Sequence, residues 1–151
     1  MHRSWTLTPA TPADADWLAD LRALGLKADL ERFGRWDHER IRQNFLHEYV
    51  PANTDLIVWE GRPVGAVAVR PEPAEQWLEH FYLDPALQGR GIGGQVLRHV
   101  LREHRDARPY RLVVIRGSRV LGLYERAGFR HESDHENGVD AIMVAPSAVF
   151  A

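Results

Sequence analysis

Hydrophobic and polar positions along this 151-residue chain change period several times, and each change marks an element. Ser4 to Thr8 alternates as a strand does. Thr11-Pro12-Ala13-Asp14 is a helix start, with Thr11 at the cap and proline at the first position. Trp17, Leu18, Leu21, Leu24 and Leu26 follow at three- and four-residue spacing, with Gly25 placed to kink or end the helix. A second helix opens after Trp36-Asp37, with Ile41, Phe45 and Leu46 inward. The run from Leu56 to Val69 predicts two strands joined at a Glu60-Gly61-Arg62 turn. Pro71 to Glu75 makes the next turn. Trp77, Leu78, Phe81, Tyr82 and Leu83 predict a strand buried on both faces. Asp84-Pro85 stops it, because proline donates nothing to a ladder and restricts the residue before it.

Val96, Leu97, Val100 and Leu101 then return to helical spacing, in a helix reaching about Arg105. Tyr110 to Ile115 is an apolar strand. A short helix carries Val120, Leu121 and Tyr124 and stops at Gly128. Phe129 starts a penultimate strand, and Val139 to Val144 is the last, reached through Asn137-Gly138. The order is β, two α, three β, α, β, α, two β, with no internal repeat or low-complexity tract. The length suits one domain spanning residues 1–151.

Between the apolar strand and the helix lies the densest chemistry. Gln88-Gly89-Arg90-Gly91-Ile92-Gly93-Gly94 holds four glycines in seven residues. A strand, a turn bare of side chains and a helix N-terminus make a cradle for an anion, because unpaired N–H groups point outward with the helix dipole behind them. The implied ligand carries phosphate. A P-loop needs Gly-Lys-Ser/Thr, and the single lysine, Lys27, is far away. A dinucleotide fingerprint G-x-G-x-x-G matches Gly89, Gly91 and Gly94 literally. However, DPALQ separates its first glycine from the strand, and no Asp or Glu between Pro109 and Tyr124 could hold a ribose.

Composition narrows the function classes. With no cysteine there is no disulfide, thiolate metal site or cysteine nucleophile. The N-terminus has no long apolar run, so neither a signal peptide nor a membrane span is expected and the cytoplasm is the default setting. Net charge is −2, but residues 86–130 carry ten Arg against Glu103, Asp106 and Glu125, a surplus of seven. A basic half suits a multiply phosphorylated ligand. A duplex-binding protein would more often be basic throughout, so no nucleic-acid partner is expected.

A third pattern for the turn is Gln/Arg-x-x-Gly-x-Gly/Ala after an aliphatic-Asp-Pro step, and Gln88 to Gly93 fits it. Leu123-Tyr124-Glu125-Arg126-Ala127-Gly128-Phe129 supplies a second signature, aliphatic/aromatic-Tyr-x-x-x-Gly-Phe. Together these resemble the GNAT N-acetyltransferase family. They cover about a third of the chain, and the order of flanking elements extends the likeness over most of the rest. The resemblance implies an α/β (α+β) fold: a mixed, mostly antiparallel sheet of six to seven strands, helices on both faces, splayed at its central strands. It implies acetyl-CoA as acyl donor, no metal, and a small-molecule amine or a protein amine as acceptor. A homodimer is compatible with it. One departure is Gly117, with Ser118 beside it, where the family often has Asn. That bears on one hydrogen bond to the cofactor arm.

Acyl transfer from a thioester to an amine needs a neutral amine, a donor for the oxyanion and a proton for the thiolate. Period-2 counting puts Trp77, Glu79, Phe81 and Leu83 on one face of the strand. A carboxylate in an apolar strand is costly unless used or paired. Two readings of Glu79 stand: by resemblance the base that takes the acceptor's proton, often through water, or a residue paired with a neighbouring Arg at a sheet edge. The resemblance makes Tyr124 the acid for the thiolate and the Leu83 N–H the donor to the acetyl carbonyl. Phe81, Tyr82 and Leu83 would pair with pantetheine. The amides of Gly89, Gly91, Ile92, Gly93 and Gly94 would hold the pyrophosphate, with Gln88, Arg90, Ser118 and Arg126 as further cofactor contacts. Trp36, Glu39, Arg42 and Tyr49 are candidates for the acceptor pocket, against a plain core or solvated role for each. His80 points away from Glu79 by strand parity and is read as structural.

His131-Glu132-Ser133-Asp134-His135 is a literal H-E-x-x-H. The zinc motif needs a helix, and this segment reads as strand and turn. Residues four apart in a strand lie about 13 Å from each other, so both histidines could not hold one ion. An acyl-CoA-binding sensor without catalysis remains the alternative to an enzyme.

Overall fold

The alternating and helical periods become seven strands and four α-helices in a computed structural model that describes residues 4–147. In chain order these are β1 Trp5–Pro9, α1 Ala15–Arg32, α2 His38–Glu48, β2 Thr54–Trp59, β3 Arg62–Pro71, β4 Gln76–Leu83, α3 Ile92–Glu103, β5 Tyr110–Ile115, α4 Leu121–Arg126, β6 Arg130–Asp134 and β7 Asp140–Ala145. This is the order the periodicity predicts. The strands form one sheet in the order β1-β2-β3-β4-β5-β7-β6. β1–β2, β2–β3, β5–β7 and β6–β7 are antiparallel, and β4–β5 is parallel. The parallel ladder pairs Gln76 with Tyr110 and Trp77 with Arg111 and goes no further, so Leu78 and Glu79 leave β5. That short ladder is the splay expected at the central strands.

The residues group into two compact units, one taking in the chain up to Ala68 with His80–Gly89, the other Val69–Glu79 with the chain from Arg90 onward. In the first unit Ala10, Leu18, Ala19, Phe45, Leu56 and Ala66 form the core, with Trp17, Leu46, Tyr49 and Val58 packed against it. Helix α1 runs through Gly25 to Arg32 rather than ending near it. Its buried stripe is Leu18, Ala19 and Ala23, while Leu24 lies 56% exposed. Of the expected apolar positions Leu18 is buried, Trp17 packs against the core and Leu21 and Leu26 are half-buried; Leu24 alone turns outward, and Ala19 and Ala23 complete the inner face. Asp37 caps α2, its side chain accepting from the Arg40 N–H.

In the second unit Val96, Leu97, Val100 and Leu101 of α3 are buried, as are Tyr110 and Leu112 of β5. Tyr110 donates its hydroxyl to the Leu101 carbonyl at 2.7 Å, and Gln76 donates to the His104 carbonyl at 2.7 Å. β6, with sequence RHESD, is exposed along its whole length, as suits a polar edge strand.

β4 corrects one expectation. It is not buried on both faces: Gln76, Leu78 and His80 are buried, and Trp77, Glu79 and Phe81 between them are half-buried. Its aromatic residues imitate an all-apolar run, but the strand keeps a two-residue alternation with one better covered face. α3 also stops at Glu103, two residues short of Arg105.

Candidate active site

The turn after β4 is built from backbone. The Asp84 N–H donates to the Val64 carbonyl at 2.8 Å. The Asp84 carboxylate accepts from the Ala86 N–H at 2.9 Å, and the Gln88 amide donates to the Leu83 carbonyl at 3.3 Å. These three bonds stop the strand and turn the chain. Gly91 then caps α3 with φ +80°, a left-handed conformation that costs an L side chain about 1–2 kcal/mol. The first helical bond runs from the Gln95 N–H to the Gly91 carbonyl at 3.1 Å. The N–H groups of Ile92, Gly93 and Gly94 therefore have no acceptor within the helix. No acidic residue occupies the first turn, and Arg90 is exposed beside it. Buried Ile92 anchors the turn. Three free donors at the positive end of a twelve-residue helix suit an anion such as phosphate.

Tyr124 is 9% exposed and sits on α4. Its carbonyl accepts from the Phe129 N–H at 3.0 Å, and the two rings meet edge to face with centroids 6.1 Å apart. Gly128 lets the chain reverse so that Phe129 comes back onto Tyr124, which gives the Tyr-x-x-x-Gly-Phe spacing a local physical cause. Ser118 is buried; its carbonyl accepts from the Leu121 N–H at 3.2 Å, and its hydroxyl accepts from the Val120 N–H at 3.4 Å. Arg126 is exposed, with its guanidinium lying along α4 near Gly122.

Glu79 is held by Arg70, whose Nε donates to both carboxylate oxygens. The same guanidinium bonds Glu72 and lies 5.8 Å from the centre of the Trp77 ring. Arg70 is not among the residues singled out by the sequence patterns. A signal existed: Arg70 and Glu79 flank the 72–75 turn, where the Glu72 N–H donates to the Glu75 carbonyl, so a hairpin brings them near each other.

In the first unit the four acceptor-pocket candidates each have their own partners, with Glu39 and Arg42 one turn apart on α2. Arg42 pairs with Asp16 and Asp20 near the start of α1. Tyr49 donates its hydroxyl to the Thr11 carbonyl at 2.7 Å and stacks on Phe45. Burial, and then the charge of Asp14, push the Tyr49 pKa up, so it stays a neutral donor. Glu39 is exposed and accepts from Gln43. Trp36 lies near Lys27, toward the other end of α1.

Phe81, Tyr82 and Leu83 are half-buried on β4. His80 is buried at a left-handed φ of +51°, which marks an irregularity in the strand. Its ring packs edge-on against Phe45, and Nε2 lies 3.7 Å from the Glu48 carboxylate. A residue missed on α1 is Arg22. Its Nε donates to the Tyr82 hydroxyl at 3.0 Å, and Nη1 donates to the Ile41 carbonyl at 3.1 Å. The signal was its place four residues after Leu18, on the buried stripe.

The H-E-x-x-H segment lies on β6 and the turn after it. Glu132 forms two bonds to Arg111, whose guanidinium holds the carboxyl below its usual range. His131 bonds Asp134 at 2.8 Å, and His135 Nδ1 accepts from the Asn137 N–H.

Comparison with known proteins places these features in company. A family model described as an acetyltransferase (GNAT) domain matches residues 52–131. The spermine/spermidine N(1)-acetyltransferase of Bacillus subtilis (strain 168) is 26% identical over 72 residues, 45% of this chain and 47% of that protein. The match thus spans about half the length of that curated relative. A crystal structure of the PaiA N-acetyltransferase of Thermoplasma acidophilum in complex with coenzyme A superposes with a TM-score of 0.73 at 18% identity, covering 95% of this chain and 99% of the other. An acetyltransferase of Thermus thermophilus superposes at 0.72 with 23% identity, covering 97% and 99%.

Proposed function

Because this chain belongs to the GNAT acetyltransferase family, we propose that it moves an acetyl group from acetyl-CoA to an amine by direct attack on the thioester. The observation that carries the reading is the backbone turn opening α3, where the amides of Ile92, Gly93 and Gly94 lack helical acceptors. A pyrophosphate supplies the oxygens those donors need. By the family's pattern Gln88, Gly89 and Arg90 are further cofactor contacts, and the backbone of Phe81 to Leu83 pairs with pantetheine as an added strand would.

In this mechanism Glu79 takes a proton from the acceptor ammonium, directly or through a water. The freed nitrogen lone pair attacks the acetyl carbonyl. The Leu83 N–H bonds the developing oxyanion. Collapse breaks the carbon–sulfur bond, and the Tyr124 hydroxyl gives its proton to the departing thiolate; the second proton on the attacking nitrogen passes to the Tyr124 phenolate, and Glu79 releases its proton to water. The products are an amide and coenzyme A. The acceptor is a small-molecule amine; the polyamine relative makes spermidine one acceptor to assay.

The bond from Arg70 to Glu79 favours one second reading, an acyl-CoA-binding module without turnover, because it engages the candidate base. Thiol release from acetyl-CoA across a panel of amines separates the two. Release that depends on the amine supports the transferase. Tight coenzyme A binding by calorimetry with no release from any acceptor supports the module.

A further inference from the structure

We propose that Arg22 is a specificity residue that binds a carboxylate on the acceptor, so that the substrate is an amine of the amino-acid type rather than a polycation. The inference rests on the transferase reading and narrows it.

Arg22 is half-buried on the inner stripe of α1, and both its bonds go to neutral oxygens, the Tyr82 hydroxyl and the Ile41 carbonyl. No carboxylate among the described residues lies within ion-pair distance of it, although the first unit holds many. Arg32 and Arg42 of α1 and α2 each take one or two aspartates. Arg35, Arg40 and Arg62 are exposed, and water solvates them. Arg22 is therefore a charge partly withdrawn from water, with its planar group fixed at two points and no counter-ion.

A guanidinium carries five N–H donors, and two are spent here. The remainder lie in the same plane, in the fork geometry that matches a carboxylate. Anchoring by Tyr82 from β4 and by Ile41 from α2 means that little rotamer entropy is left to lose on binding. The ring of Tyr82 lies against Gly25, one turn further along α1, which sets an aromatic wall beside the charge. A polyamine brings only positive charge and would meet repulsion at this point.

The test uses thiol release with matched acceptors: free amino acids, the same amino acids as carboxamides, and spermidine. The wild type is expected to prefer the acid over its amide at least tenfold in kcat/KM. R22Q is expected to lower kcat/KM for the acids on the order of ten- to a hundredfold and bring the acid-to-amide ratio near one. R22K keeps the charge without the fork and is expected to fall between, which also decides the matter if R22Q does not fold. A wild-type ratio near one, a preference for spermidine, or a ratio unchanged in the variants overturns the proposal. If no acceptor releases thiol, the transferase reading fails on its own. Calorimetry of the same acids and amides with the coenzyme A-loaded protein then decides Arg22: acid-selective binding lost in R22Q upholds the assignment, and binding without that selectivity overturns it.

Discussion

Arg70 sets its Nε 3.2 Å and 3.3 Å from the two carboxylate oxygens of Glu79, gripping both. The carboxylate is thereby oriented without being buried away from a substrate, since both side chains remain partly exposed. Replacing Glu79 by Gln is expected to lower kcat/KM about 10²- to 10³-fold, within the range for loss of a positioned base. Replacing Arg70 by Met leaves the base but frees its rotamer, and a loss of about tenfold is expected. Steady-state kinetics at saturating acetyl-CoA decide both. An R70M protein faster than wild type would mean that the ion pair restrains the base.

Tyr124→Phe keeps the ring that packs on Phe129 and removes only the hydroxyl. Turnover is expected to fall roughly 10- to 100-fold while acetyl-CoA affinity stays within about twofold. Calorimetry beside the rate measurement separates the two effects. Unchanged turnover removes Tyr124 from the mechanism.

Gly65 tests the packing that shapes the end of β4. A Cβ at this position would stand 2.3 Å from the Tyr82 carbonyl oxygen, closer than real contacts allow. Gly65→Ala must therefore shift backbone, at a cost of about 1–3 kcal/mol. For a chain of this length that lowers the thermal midpoint by roughly 3–10 °C. Scanning calorimetry reads the shift directly, and an unchanged midpoint would show that the strands separate freely.

Tyr110 makes stability depend on alkaline pH. Its side chain is fully buried, and burial first, then the charge of Asp106, pushes its pKa up to about 12 against the opposing Arg108 and Arg105. The unfolded chain ionises it near pH 10. The folded state thus prefers the neutral phenol, and its contribution is complete below about pH 10 and is lost as pH rises toward 12. The difference between those two values corresponds to about 3 kcal/mol. Denaturant unfolding from pH 8 to 12 should show that decline. Tyr110→Phe, which loses the bond to the Leu101 carbonyl, should be less stable by about 1 kcal/mol at neutral pH and show a smaller decline, the part due to Tyr49 remaining.

The order of elements was legible in the chain because each element carries its own period and its own stop. Asp84-Pro85 ends β4, Gly91 opens α3 and Gly128 ends α4 through local rules about φ and missing donors, which need no distant partner. The same locality made the turn at 88–94 readable, since a donor-rich helix start is a property of neighbours in sequence. Which leucines of α1 face inward, how deeply β4 is covered, and where Arg22 and His80 find their partners depended on residues far along the chain. A side chain's charge and shape are written at its own position. Its desolvation and its counter-ion are set by whatever the fold brings beside it, and for Glu79 and Arg22 that is the difference between a lone charge and a positioned one.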